Sequence, residues 1–184
     1  MSRSTKHLGG WNEDDPLTFY PRLWTWLIDR FEVRRMLDVG AGDGRAVRFF
    51  AERGVDAVGV DGLGGDGIVR HDFRRGPAPL AGRFDLCWSC EFVEHVERRH
   101  VGNYLAAFDL CGTVAMSHAI PGQIGHHHVN CQPLAYWERL LADHGFVLRE
   151  RLTLEARELA ARDALDQEQP APGYFARAGL IFCS

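Results

Sequence analysis

Two carboxylates and an imidazole fall at Glu91, Glu94 and His95, the i, i+3 and i+4 spacing that places three side chains on one face of a helical turn. Such a trio can hold a divalent cation. Ca²⁺ and Mg²⁺ prefer oxygen ligands, and the imidazole widens the choice to Mn²⁺, Fe²⁺ or Zn²⁺. A further ligand has a source in the loop Gly125-His126-His127-His128. A cation held there lowers the pKa of a hydroxyl and fixes its oxygen, the two needs of an alcohol that must act as nucleophile. Without a metal, His95, His118 or His126 could serve as general base. The same Glu-His pair could also serve structure or the positioning of a cofactor.

Upstream lies Met36-Leu37-Asp38-Val39-Gly40-Ala41-Gly42-Asp43-Gly44, followed by Arg45-Ala46-Val47-Arg48-Phe49-Phe50. This is the pattern of a buried strand, a glycine-rich turn and a helix start. Backbone can approach a ligand closely at such a turn, and the helix offers free N–H groups behind it. A second strand, Val55 to Val60, ends in Asp61, a carboxylate about twenty residues on, where ribose hydroxyls need an acceptor. A dinucleotide fingerprint reads G-x-G-x-x-G; here the third glycine comes one residue early, which disfavours a nicotinamide oxidoreductase.

The elements that carry these residues alternate. Leu17 to Phe31 has the three-and-four spacing of an amphipathic helix, with Tyr20, Trp24 and Trp26 expected mainly in the core. Strands are expected at 68–71, 84–89, 112–117, 146–152 and 178–183, helices at 99–110, from 132 to about 144, and at 153–165. Gly145 fits the position after a helix. Strands alternating with helices imply a doubly wound, mostly parallel sheet.

Strand-Asp-x-Gly-x-Gly-x-Gly with an acid ending the next strand resembles the first motif of class I S-adenosylmethionine-dependent methyltransferases. The resemblance implies an α/β, Rossmann-like, seven-stranded sheet with an antiparallel last strand, and S-adenosylmethionine as cofactor. It implies cofactor contacts from Asp38, Gly40, Ala41, Gly42, Gly44, Asp61 and Gly62. Asp72 and Phe73 would lie at the adenine, and Ser89 near the sulfonium. Asp38 would orient the glycine turn and the methionine amino group. One domain of residues 1–184 is expected, with 1–34 as a helical cover and 153–174 as a cap over the acceptor.

Glu-x-x-Glu-His followed by His-x-His resembles the metal site of small-RNA 3′-terminal 2′-O-methyltransferases. Its first part also resembles the ubiquinone-pathway O-methyltransferases. Counted back from Tyr136-Trp137, His128 matches the later ligand best, with His126 second and His127 facing away. The implied ligand set is Glu91, Glu94, His95 and His128, holding Mg²⁺ or Mn²⁺ in first place, or Fe²⁺ or Zn²⁺. The RNA-binding extensions and basic surface of the small-RNA enzymes are lacking. The expected acceptor is therefore a hydroxyl on a small molecule, sugar or nucleoside. Metal-independent N- or O-methylation with His as base, and a non-catalytic S-adenosylmethionine-binding module, are the alternatives.

Bulk properties agree with this reading. The 184 residues are 46% hydrophobic and 25% charged, enough for one sizeable core. A net charge of -4 without a long basic run argues against a large nucleic-acid surface. No secretory or spanning segment is read, so a cytoplasmic protein is expected, its oligomeric state unspecified. Cys87 and Cys90 form C-x-x-C inside an apolar strand, which reads as core filling rather than a redox or zinc pair.

Overall fold

The computed structural model describes residue 8 and residues 16–184. The part of the expected cover before residue 16 lies outside the described residues except for Leu8. Seven strands form one sheet: β1 (Arg35–Val39), β2 (Asp56–Asp61), β3 (Ile68–Arg70), β4 (Phe84–Ser89), β5 (Cys111–Met116), β6 (Val147–Leu148) and β7 (Leu180–Cys183). Their order is β3-β2-β1-β4-β5-β7-β6. The first five run parallel, and β7 is antiparallel to both neighbours. Chain order reverses between β1 and β4, and open sheets bind ligands outside the carboxyl ends of strands at such a switch.

Alternation along the strands divides the core. Leu37 and Cys87 join the face covered by α3 (Val101–Phe108) and α4 (Leu134–Asp143), among Tyr104, Phe108 and Trp137. Met36, Leu86 and Trp88 join the opposite face, as a side-chain period of two requires. There they meet α1 (Pro21–Phe31), α2 (Arg45–Ala51) and α5 (Glu150–Asp166) through Trp24, Phe50 and Ala156. Tyr20 and Trp24 are buried as expected, and Trp88 stacks on Phe175 with ring centroids 4.9 Å apart.

Helix ends follow local chemistry. Pro21 opens α1, where its missing N–H costs nothing. The next two N–H groups, of Arg22 and Leu23, donate to the Asp163 carboxylate of α5 at 3.0 and 3.1 Å. A residue 140 positions away thus supplies the cap. After α4, Gly145 takes φ 83°, the left-handed conformation its position requires.

The expectation for the sixth strand is corrected. β6 is only Val147–Leu148; Arg149 N–H still donates to the Ile181 carbonyl of β7 at 2.8 Å, and the polar run then turns into α5 at Glu150. A short helix, α6 (Tyr174–Ala178), takes Ala178 from the start of the expected last strand, and β7 begins at Leu180. Among the described residues no helix is long and apolar enough to cross a membrane. All five cysteines are free thiols.

Candidate active site

The glycine turn leaves β1 at the switch point. Gly40 has φ 85°, and a β-carbon there would lie 2.6 Å from the Phe92 ring. Glycine is required twice over, by conformation and by space. The N–H groups of Gly40 and Ala41 both donate to the Val60 carbonyl, at 2.9 and 3.1 Å. Asp61, ending β2, accepts from Gly42 N at 3.1 Å and Leu63 N at 2.8 Å. Its carboxylate therefore shapes the turn while facing the cleft. Gly44 is the residue from which α2 starts.

Asp38 is 3% exposed, and among the described residues none donates a hydrogen bond to its side chain. Burial, reinforced by Asp61 and then Asp43, holds its carboxyl well above the ordinary range. Asp38, Asp61, Gly40, Ala41 and Gly42 line one cleft of about 300 Å³. Among the described residues neither acid is paired with a cation, although Arg45 lines the same cleft, and two such neighbouring acids suit a positively charged ligand. The ammonium and sulfonium of S-adenosylmethionine fit that need.

Beside this cleft, Gly62, Asp72, Phe73 and Phe92 line a smaller pocket with Leu8 and His127. The Asp72 carboxylate caps the Phe73–Arg75 turn through Arg74 N at 3.0 Å and pairs with the Arg74 guanidinium at 2.9 Å. Phe73 is buried, its ring 5.5 Å from that of Phe92.

Glu91, Glu94 and His128 each present a ligand-capable atom, all within 4.8 Å of one another. The geometry differs from three residues on one helical face. Glu91 has φ 53° and stands before the turn, which spans only Val93–His95. Its N–H donates to Ser117 Oγ at 2.9 Å, anchoring this left-handed residue to the end of β5. Glu94 is 0% exposed, and among the described residues neither carboxylate oxygen has a hydrogen-bond partner. Burial, then the Glu91 charge, drives its pKa well up. A buried carboxyl without donors is costly unless it is protonated or binds a cation.

The histidine loop is tied to this turn. The Glu94 carbonyl accepts from Val129 N at 2.9 Å and Asn130 N at 3.0 Å. His128 Nδ1 lies 3.2 Å from the Gln123 carbonyl; a proton on Nδ1 leaves Nε2 as the lone-pair nitrogen. His95 sits against His128 with ring centroids 5.2 Å apart. Burial, with the His128 charge second, lowers its pKa to about 4, so its ring is neutral at pH 7.

Other expected residues are distributed differently. His126 is exposed and lines the cleft, whereas His127 turns to the smaller pocket. Ser89 is fully buried and its hydroxyl donates to the Val39 carbonyl at 2.9 Å; it bonds β4 to β1 beneath the cleft instead of lining it. His118 is buried against Trp137 and lines a neighbouring groove. Of the 153–174 span, Tyr174 reaches the cleft, while α5 packs on α1 and β7. Residues missed by motif reading include Phe92, which needs Gly40 to be glycine, and Asn130, whose N–H pins the loop. A buried polar Asn just after three histidines was the available signal.

The methyltransferase domain family matches residues 10–111, from the cover through β4 to the first residue of β5. A search of curated proteins finds no match. Among solved structures, Burkholderia thailandensis 1,6-didemethyltoxoflavin-N1-methyltransferase, with bound 1,6-didemethyltoxoflavin and S-adenosylhomocysteine, superposes with a TM-score of 0.61 at 16% identity, covering 94% of this chain and 78% of that one. The CcbJ methyltransferase of Streptomyces caelestis gives 0.59 at 10% identity, covering 89% of both chains. Magnesium protoporphyrin IX methyltransferase of Synechocystis, with bound S-adenosylhomocysteine, gives 0.54 at 15%, covering 77% of this chain and 80% of that one. At these identities the likeness is one of fold. With more than half its length matched, and the glycine turn and its acids in place, the chain belongs to the methyltransferase domain family and is an S-adenosylmethionine-dependent enzyme.

Proposed function

We propose that the protein transfers a methyl group to a hydroxyl of a small molecule, sugar or nucleoside, assisted by a divalent cation held by Glu91, Glu94 and His128 with His95 beside them. One observation carries the reading: the fully buried Glu94 carboxylate, without a hydrogen-bond partner among the described residues, presents an oxygen to a group of ligand atoms from Glu91, Glu94 and His128 within 4.8 Å of one another. Mixed oxygen and imidazole donors suit Mg²⁺ or Mn²⁺ first, with Fe²⁺ or Zn²⁺ also accommodated. When bound, such a cation supplies a lowered hydroxyl pKa and a fixed oxygen.

The chain's own residues do the rest. Asp38 and Asp61 receive the cationic cofactor at the glycine turn, and the adjoining pocket at Asp72 and Phe73 takes its base. His126, exposed at the cleft mouth, is placed to accept the departing proton and release it to water. Neutral His95 adds no positive charge that would repel a cation.

The test is calorimetric titration of Mn²⁺ and Mg²⁺ into protein saturated with S-adenosylhomocysteine. Saturable heat in the wild type, lost in Glu91→Ala and His128→Ala, supports the reading. Absence of binding, with methyl transfer intact in excess EDTA, establishes the second reading instead. In that reading His126, which lines the cleft, is the general base for metal-free N- or O-methylation.

A further inference from the structure

We propose that the methyl acceptor is a hydroxy acid whose carboxylate is received by Arg177. This rests on the cation-assisted hydroxyl methylation argued above and names the class of molecule that site takes. A groove of about 430 Å³ opens across Glu91 from the glycine turn, lined by His118, Ile120, Gln123, Tyr174 and Arg177. Glu91, Gln123 and Tyr174 line the cofactor cleft as well. Cleft and groove therefore adjoin, with Glu91 in the wall of both. A molecule lying in the groove presents one end to the cation ligands.

The groove is polar in a directed way. Arg177 is exposed, and among the described residues no carboxylate pairs with it. Its guanidinium lies 5.2 Å from the Tyr174 ring centroid. Stacking on an aromatic face orients the fork and leaves its N–H donors available. Behind it, half-buried Arg157 donates from Nε to the Gly179 carbonyl at 2.7 Å and also has no carboxylate partner. Burial, with Arg157 as a further repelling charge, lowers the His118 pKa, so the imidazole contributes a neutral wall. The lining thus carries one positive side chain, Arg177, and one negative, Glu91.

A guanidinium fork matches a carboxylate with two parallel hydrogen bonds. One arginine on the wall balances a monoanion, which favours a carboxylate over a phosphate dianion. Ile120, 53% exposed, offers an apolar face to the body between. In the reaction the carboxylate is unchanged. The hydroxyl oxygen forms the new O–CH₃ bond and the S–CH₃ bond of the sulfonium breaks. Its electron pair stays on sulfur, and the hydroxyl proton leaves to His126 or water.

The experiment compares 3,4-dihydroxybenzoate with its methyl ester, two probes sharing one chelating diol. Each is titrated into protein saturated with S-adenosylhomocysteine and Mn²⁺. The acid is expected to bind about tenfold more tightly than the ester. That gap should close in Arg177→Gln and return in part in Arg177→Lys, which keeps charge but loses the fork. Equal affinities in the wild type, with both probes lost in Glu91→Ala, overturn the hydroxy-acid assignment and leave the cation site standing. Neither probe binding, with no Mn²⁺ heat either, removes the cation site and this assignment together.

Discussion

A β-carbon on Gly125 would fall 2.2 Å from Nε2 of His128. The two cannot coexist, so the ring of His128 holds its place only because residue 125 has no side chain. Gly125 lies in an exposed loop, and alanine there should leave the fold intact. Gly125→Ala is predicted to weaken Mn²⁺ affinity by at least about tenfold, approaching His128→Ala, with a melting temperature within about 2 °C of wild type. Unchanged affinity would rule out His128 as a ligand in the position seen.

Glu94 separates a cation site from mere acidity. Burying an ionised carboxylate without donors costs more than burying an amide. Without added metal, Glu94→Gln should therefore be at least as stable as wild type. Saturating Mn²⁺ should raise the wild-type melting temperature by several degrees and leave the variant where it was. Equal metal-induced shifts in the two proteins, read by differential scanning calorimetry, would sink the assignment of Glu94.

Asp38 should oppose stability and serve binding. Its folded-state pKa is raised, chiefly by burial and then by Asp61. Its stabilising contribution is full below the ordinary carboxylate pKa and is lost as pH rises through the raised value. Cofactor-free Asp38→Asn should thus gain on wild type by a few degrees between about pH 4 and pH 8, the difference growing with pH. The same variant should lose S-adenosylmethionine binding. A stability difference independent of pH would show that folding does not raise the Asp38 pKa.

Asp163 is a purely structural test. Its carboxylate caps α1 through the Arg22 and Leu23 N–H groups. Asp163→Ala should cost about 1–2 kcal/mol, as loss of an N-cap does, seen as roughly 3–6 °C in melting temperature. Mn²⁺ affinity of the folded protein should not change, because the cap lies on the face of the sheet away from α3 and α4.

What could be read from residue types alone was local. The apolar run with Gly40 and Gly42 located β1 and its turn, because a buried strand and a left-handed turn each leave a compositional mark. Asp61 fell at the end of β2 for the same reason. Glu91 was read as helical because spacing carries no information on φ; its left-handed backbone depends on Ser117, 26 residues on. Ser89 and Val39 meet across two strands, a contact invisible before the strand order is known. Arg149-Glu150-Arg151 was read into a strand because apolar spacing does not show where a strand turns into a helix; here the helix α5 starts at Glu150, directly after Arg149 N–H donates to the Ile181 carbonyl of β7. The groove beside the cleft depends on α6, whose five residues are too few to leave a periodic signal.

The strand order also sets a sequence in time. Among the described residues β6 pairs only with β7, and β7 alone joins it to β5. A ribosome delivers Val147–Leu148 well before Leu180–Cys183, so β6 has no ladder to enter until β7 has emerged. The parallel half carrying the glycine turn has all its strands by Met116. Synthesis therefore supplies the cofactor's cradle first and the strand that locks the far edge of the sheet last.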